Sequence, residues 1–138
     1  MTIPLVQGTL RYAYKTARGD NTPKEKAEGV AFLGAVIPQV YRCSHQDAEI
    51  LKNHMWIDGN IKASDDGFKS VKEAFQRNYG CLGIKCSDIG GHLDDLTDDY
   101  HQDFRPCTDG VSPTGGQAQR TPLSLAVVIL VALIRAIF

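Results

Sequence analysis

Apolar residues recur at helical spacing along most of the first eighty positions, and the strict alternation that a half-buried strand needs appears nowhere. Residues 1–23 read as a lead-in, with a short helix-like face in 9–18 formed by Leu10, Tyr14 and Ala17. The run Gly19-Asp20-Asn21-Thr22-Pro23 then breaks the chain. Pro23 stands at a natural helix start, with Glu25 and Glu28 in the first turns. From there Ala27, Val30, Ala31, Gly34, Ile37 and Tyr41 mark one face, and Pro38 is expected to kink or end the helix near its last turn. Ser44 followed by Asp47 resembles a capping box with the acid one methylene short. It opens a helix through about His54, with Ile50, Leu51 and Met55 inward. Asp58-Gly59-Asn60 reads as a turn. Asp65 or Asp66 caps a further helix lined by Phe68, Val71, Ala74, Phe75 and Tyr79, with Gly80 as its C-cap. Beyond Cys81 the chain becomes Gly-rich and then acidic.

A chain of 138 residues suits one domain, and no internal repeat is visible. Its 15 basic against 16 acidic residues argue against a dedicated nucleic-acid binder, which normally shows a basic stripe. The average conceals one end: residues 123–138 (LSLAVVILVALIRAIF) are apolar at 14 of 16 positions. Without them the body is lean in apolar residues, and small lean cores usually need staples. Cys43, Cys81, Cys86 and Cys107 all lie in that body. A zinc site is the rival, but C-x4-C lacks the zinc knuckle and no His pair stands at finger spacing. Four cysteines allow three pairings. Cys43 precedes one helix and Cys81 follows the next. Helices joined by a short connection pack antiparallel, which brings these two together and leaves Cys86–Cys107 to close the acidic loop. Cys81–Cys86 remains geometrically open but would constrain little. The expected fold class is therefore mainly α: a small disulfide-stapled helical domain with Gly-rich and acidic loops and an apolar tail.

A spanning helix needs about 20 apolar residues, so 123–138, with Arg135 near its end, makes a poor permanent span. It fits a glycosylphosphatidylinositol attachment signal better. Small residues (109–116) and a polar spacer (117–122) precede a terminal apolar tail. Gly110 is the preferred lipid-attachment residue and Gly115 the alternative; a short membrane anchor is the rival reading. Such an anchor requires entry into the secretory pathway, yet residues 1–18 hold no apolar run of the ~7–15 residues a signal peptide needs. The expectation is that Met1 lies inside a longer protein. The alternative is a cytosolic protein with an incidental apolar tail.

Charge is strongly polarised. Between Asp88 and Asp109 lie seven aspartates (88, 94, 95, 98, 99, 103, 109) and one cation, Arg105, for a formal −6, while the rest of the chain sums to +5. His92, Tyr100 and His101 fall in the same stretch. Hard cations prefer oxygen ligands and imidazole suits iron. On a helical turn Asp94/Asp98 and Asp95/Asp99 would stack at i,i+4. The candidate metal ligands are therefore His92, Asp94, Asp95, Asp98, Asp99, Tyr100 and His101. This is no EF-hand, since Gly at loop position six and Glu at twelve are missing. The bland alternative is a solvated acidic loop, which composition alone favours. His45 and His54 read as surface or capping residues, and Trp56 as packing. No phosphate loop or GxSxG elbow is present. Catalysis by Cys81/Cys86 as a redox pair is the weakest candidate, because disulfides remove the free thiol.

Residues 78–91 (NYGCLGIKCSDIGG), together with 38–44 (PQVYRCS) and Asn53-His54-Met55, resemble the algal iron-assimilating, or phytotransferrin, family. The likeness covers roughly residues 25–108, and its CLGxxC segment is the most specific part. It implies a low-iron- or high-CO2-inducible periplasmic or cell-surface protein that captures Fe(III), with carbonate as companion anion in phytotransferrin members. Family proteins are longer and carry more than one copy of the domain. The expected organisation is thus an iron-assimilation-like domain at 1–108, N-terminally truncated, a linker at 109–122 and a hydrophobic tail at 123–138. The expected activity is cell-surface iron binding without catalysis, with membrane attachment through the tail and no nucleic-acid partner. The alternative is a lipid-anchored adhesion or interaction module that binds no metal.

Overall fold

The computed structural model describes residues 2–19, 22–56, 65–94 and 96–109, with the side chains of Asp65 and Asp66 excepted. They form α1 (Thr2–Arg18), α2 (Pro23–Cys43), α3 (His45–Met55) and α4 (Asp65–Leu82). A one-turn helix α5 (Cys86–Ile89) and a 3-10 turn at Gln102–Phe104 complete the elements, so the domain is mainly α.

The pairings between helices give the topology. Along α1 and α2, Thr2 bonds Gln39, Gly8 abuts Phe32, Tyr12 stacks on Phe32 and donates to Glu28, and Lys15 meets Glu25. Rising numbers on one helix meet falling numbers on the other, so the two are antiparallel. The same logic makes α2 and α3 antiparallel through Tyr41–Glu49 and Gly34–Trp56; for α3 and α4, Asp47 near the start of one meets Arg77 near the end of the other. Likewise Tyr14, near the end of α1, meets Phe68, near the start of α4. The result is an up-down-up-down four-helix bundle whose fourth helix closes on the first.

Each helix has a local cause. Thr22 caps α2 with a full capping box: its hydroxyl accepts from the Glu25 N–H while Glu25 accepts from the Thr22 N–H at 2.9 Å. Ser44 caps α3 by accepting from the Asp47 N–H at 3.2 Å. The anticipated face of α4 is the buried one: Phe68, Val71, Ala74, Phe75 and Tyr79 are all in the core.

Four expectations change. The first helix is not a short face in 9–18 but runs from Thr2. Pro4 falls within its first turns, where a missing N–H costs nothing, and Val6, Leu10, Ala13 and Tyr14 make a continuous buried stripe. Gly8 interrupts the apolar pattern because a Cβ there would sit 2.7 Å from the Phe32 ring; a bare backbone lets α1 and α2 approach. In α2 the inward stripe is Gly29, Leu33, Val36, Ile37 and Val40, while Ala27 and Ala31 face solvent. Pro38 does not end α2: it sits on the exposed side, and the helix continues to Cys43 because Ile37 and Val40 are held in the core on either side of it. Finally, α4 ends at Gly83, not Gly80. Gly83 has φ +68, its N–H reaches the Gly80 carbonyl at 3.3 Å, and the Ile84 N–H reaches Tyr79 at 2.9 Å, which is a Schellman stop. The expected turn at Asp58-Gly59-Asn60 lies outside the described residues.

Both expected disulfides are present. Cys43–Cys81 joins the C-terminal ends of α2 and α4, with Cα atoms 5.9 Å apart, and Cys86–Cys107 closes the acidic segment, with Cα atoms 5.2 Å apart. Deeper between α3 and α4, Asp47 accepts from Arg77 Nε at 3.0 Å and Nη2 at 2.5 Å, and from Asn78 Nδ2 at 2.8 Å. Burial pushes the Asp47 carboxyl up, but those three donors outweigh it and hold the group below its ordinary value.

Candidate functional site

The acidic segment leaves the bundle at Gly83 and returns across α1 and α4 as an arm. Gln7 on α1 donates to the carbonyls of Asp88 and Ile89 at 3.1 and 3.2 Å. Lys72 on α4 donates to the carbonyls of Asp103 and Arg105 at 3.0 and 3.2 Å, and burial lowers its pKa. Phe104 plugs the arm into the bundle, its ring 4.9 Å from Phe68 and 5.7 Å from Tyr14. Gly91 passes so close beneath this turn that a Cβ would lie 2.5 Å from the Phe104 carbonyl oxygen.

Residues 92–101 are not a helix. The described residues of this stretch form a small antiparallel hairpin, with Leu93 opposite Tyr100, the His101 N–H on the His92 carbonyl at 3.0 Å, and the Asp94 N–H on the Asp99 carbonyl at 2.8 Å. Asp98 makes the turn in the left-handed region, φ 56, which a short polar side chain tolerates. This replaces the expected i,i+4 stacking of Asp94 on Asp98 with the period-two geometry of paired strands. Asp95 lies outside the described residues, so its pairing with Asp99 does too.

Alternation sorts the candidate ligands into two sets. His92, Asp94 and His101 share the inner face. The two imidazoles are 5.3 Å apart, His101 Nδ1 is 3.8 Å from Asp94 Oδ2, and both rings pack on Tyr14, at 5.7 Å for His92 and 5.0 Å for His101. The Tyr14 hydroxyl accepts from Arg18 at 3.2 Å. Tyr100 shares the opposite face with Leu93, while Asp98 and Asp99 are exposed at the turn, Asp99 in register with Asp94. Among the described residues no three of His, Cys, Asp and Glu converge closely enough to hold a metal ion. The inner face therefore offers a carboxylate–imidazole pair with a second imidazole beside it, not a closed coordination shell.

Of the remaining sequence candidates, His45 stands edge-on to Tyr41 at 5.1 Å, and His54 has its Nδ1 buried without a hydrogen-bond partner. Trp56 is 39% exposed and lies against Gly34. Tyr14 was missed as a site residue because its spacing marks it as core. Nothing in the sequence signals that its ring would floor the hairpin. The lipid-attachment candidates Gly110 and Gly115, and the tail at 123–138, lie outside the described residues. Among the described helices none is long and apolar enough to cross a membrane. No family model, curated protein or solved structure matches this chain.

Proposed function

We propose that this chain is a cell-surface Fe(III)-binding module, attached to a membrane through its C-terminal tail and serving iron uptake without catalysing a reaction. The observation that carries the reading is the meeting of Asp94 and His101 across the hairpin, 3.8 Å apart with His92 alongside. A carboxylate and an imidazole are the mixed donors that suit a hard-to-borderline iron ion. The segment's formal −6 raises the local cation concentration around them. The resemblance of 38–44, 53–55 and 78–91 to the algal iron-assimilation family supports the same reading, and two disulfides with no free cysteine among the described residues suit an oxidising compartment. In this reading Asp94 and His101 supply part of the shell, and Asp95, carbonate or a further segment of a longer protein supplies the rest.

The test is Fe(III) titration of the purified chain near neutral pH, with and without bicarbonate. Binding is expected in the wild type, weakened about tenfold or more in Asp94→Asn/His101→Gln. It is also expected to weaken as pH falls, because both ligands must be deprotonated. Equal affinity in the double variant would remove the assigned donors. Absence of any Fe(III) binding, in this chain and in a longer one, would remove the function.

A further inference from the structure

The outer face of the hairpin presents a different chemistry from the inner one. Leu93, Tyr100 and Leu96 are 45%, 43% and 95% exposed, and with Trp56 they are the exposed large hydrophobics among the described residues. Three such side chains within eight positions form a patch, whereas single exposed apolar residues need no explanation.

Leu96 is also held outward rather than left loose. The Asp94 side chain accepts from the Leu96 N–H at 2.8 Å, and the Asp94 carbonyl accepts from the Thr97 and Asp98 N–H groups at 3.3 and 3.0 Å. Those bonds, with Asp98 in the left-handed region, define the turn, and Leu96 within it is 95% exposed. A fixed apolar tip has little conformational entropy left to lose when it is covered.

Charge narrows what can cover it. Asp98 and Asp99 flank the tip and are exposed, and no Lys or Arg occurs between His92 and Asp103. An anionic membrane surface would be repelled, and a second copy of the same hairpin would bring carboxylates against carboxylates. We propose that this outer face docks into an apolar hollow rimmed by Lys and Arg on another protein, with Leu96 as the anchor, Leu93 and Tyr100 beside it, and Asp98 and Asp99 steering the approach. A patch of this size is below that of stable complexes, so the contact is a transient, salt-sensitive one. Leu93 and Tyr100 lie on the face opposite Asp94 and His101, while the Asp94 carboxylate that accepts from the Leu96 N–H is also the group assigned to iron.

The experiment installs a photoreactive benzophenone side chain at position 93 of the full chain, irradiates it with intact source cells, and maps the adducts by mass spectrometry. The expected result is a dominant adduct whose partner peptide combines Lys or Arg with apolar residues. Its yield should fall about tenfold when Leu96→Asp is added, and severalfold at about 0.5 M salt. Circular dichroism and intact disulfides in the Leu96→Asp protein exclude misfolding as the cause, which the 95% exposure of this side chain makes straightforward. Adducts on lipid, on a second copy of this chain or on its own residues 123–138 would overturn the proposal. So would an adduct indifferent to Leu96→Asp, or no adduct at all.

Discussion

The bundle and the arm solve the same problem with different means. The bundle is held by interdigitated apolar side chains: Leu10, Leu33, Leu51, Val71 and Phe75 have 1% of their surface or less exposed. Among the described residues, the arm places only Ile84, Cys86, Ile89 and Phe104 in the core. It is otherwise tied down through its backbone, by Gln7, by Lys72 and by the Cys86–Cys107 bond. A region fastened by its main chain leaves its side chains free for other work. The polar and exposed apolar groups of chemical interest are accordingly concentrated in the arm.

The strongest way to break the contrast is to remove bulk from the bundle. Phe75→Ala leaves a cavity where the ring is fully buried, and should cost about 3–5 kcal/mol in denaturant unfolding, lowering the stability of bundle and arm together. Asp47→Ala should follow at about 3 kcal/mol, since it removes one of the two acceptors of the buried Asn78 amide and leaves Arg77 the weaker 3.9 Å contact with Glu73. The same group gives a pH signature. Its folded pKa is depressed, so its stabilisation is complete above the ordinary carboxylate range and is lost as pH falls through the lowered value. Glu25, held at about 2 by the Lys15 ammonium and by Thr22, behaves with the same sign between about 4.5 and 2. Acid titration of stability in Asp47→Asn should therefore be shallower than in the wild type.

Opening the arm should separate the two regions. Cys86→Ser/Cys107→Ser releases a 21-residue closure, worth about 3 kcal/mol by loop entropy. Hydrogen exchange at the His92 and His101 amides should accelerate strongly, while amides in the middle of α2 keep most of their protection. Retained protection at His101 would mean that Phe104 and Lys72 suffice. Gly91→Ala should loosen the same turn by about 1–3 kcal/mol, because its Cβ has no space beside Phe104. The smallest effect belongs to Gly80→Ala: nothing lies within 4 Å of the new methyl, and α4 should gain up to about 1 kcal/mol.

The bundle was legible where large apolar residues carried the period. Phe68, Val71, Phe75 and Tyr79 leave no doubt about the inner side of α4. Where small residues carried it, the reading slipped: Ala27 and Ala31 look inward by spacing, yet Gly29 is the buried position because it faces Tyr12 at close range. In α1, Pro4, Gly8 and Thr9 resemble breakers, but Thr9 is fully buried with its hydroxyl on the Leu5 carbonyl at 2.8 Å. The disulfide pairing was readable from helix order alone. The hairpin was not, because its alternation is inverted. Histidine and aspartate turn inward to Tyr14 while leucine and tyrosine turn out, and a pattern rule that sends apolar residues inside has no purchase on it.

The two cystine rings, 43–81 and 86–107, lie one after the other along the chain and do not interlace. Oxidation in sequence order, with Cys43 meeting Cys81 before Cys107 is available, would therefore give the native connectivity. The one local competitor is Cys86, five positions after Cys81. In the folded chain α4 stops at Gly83, so Cys81 lies on the helix against Cys43 and Cys86 lies beyond the bend, bonded to Cys107.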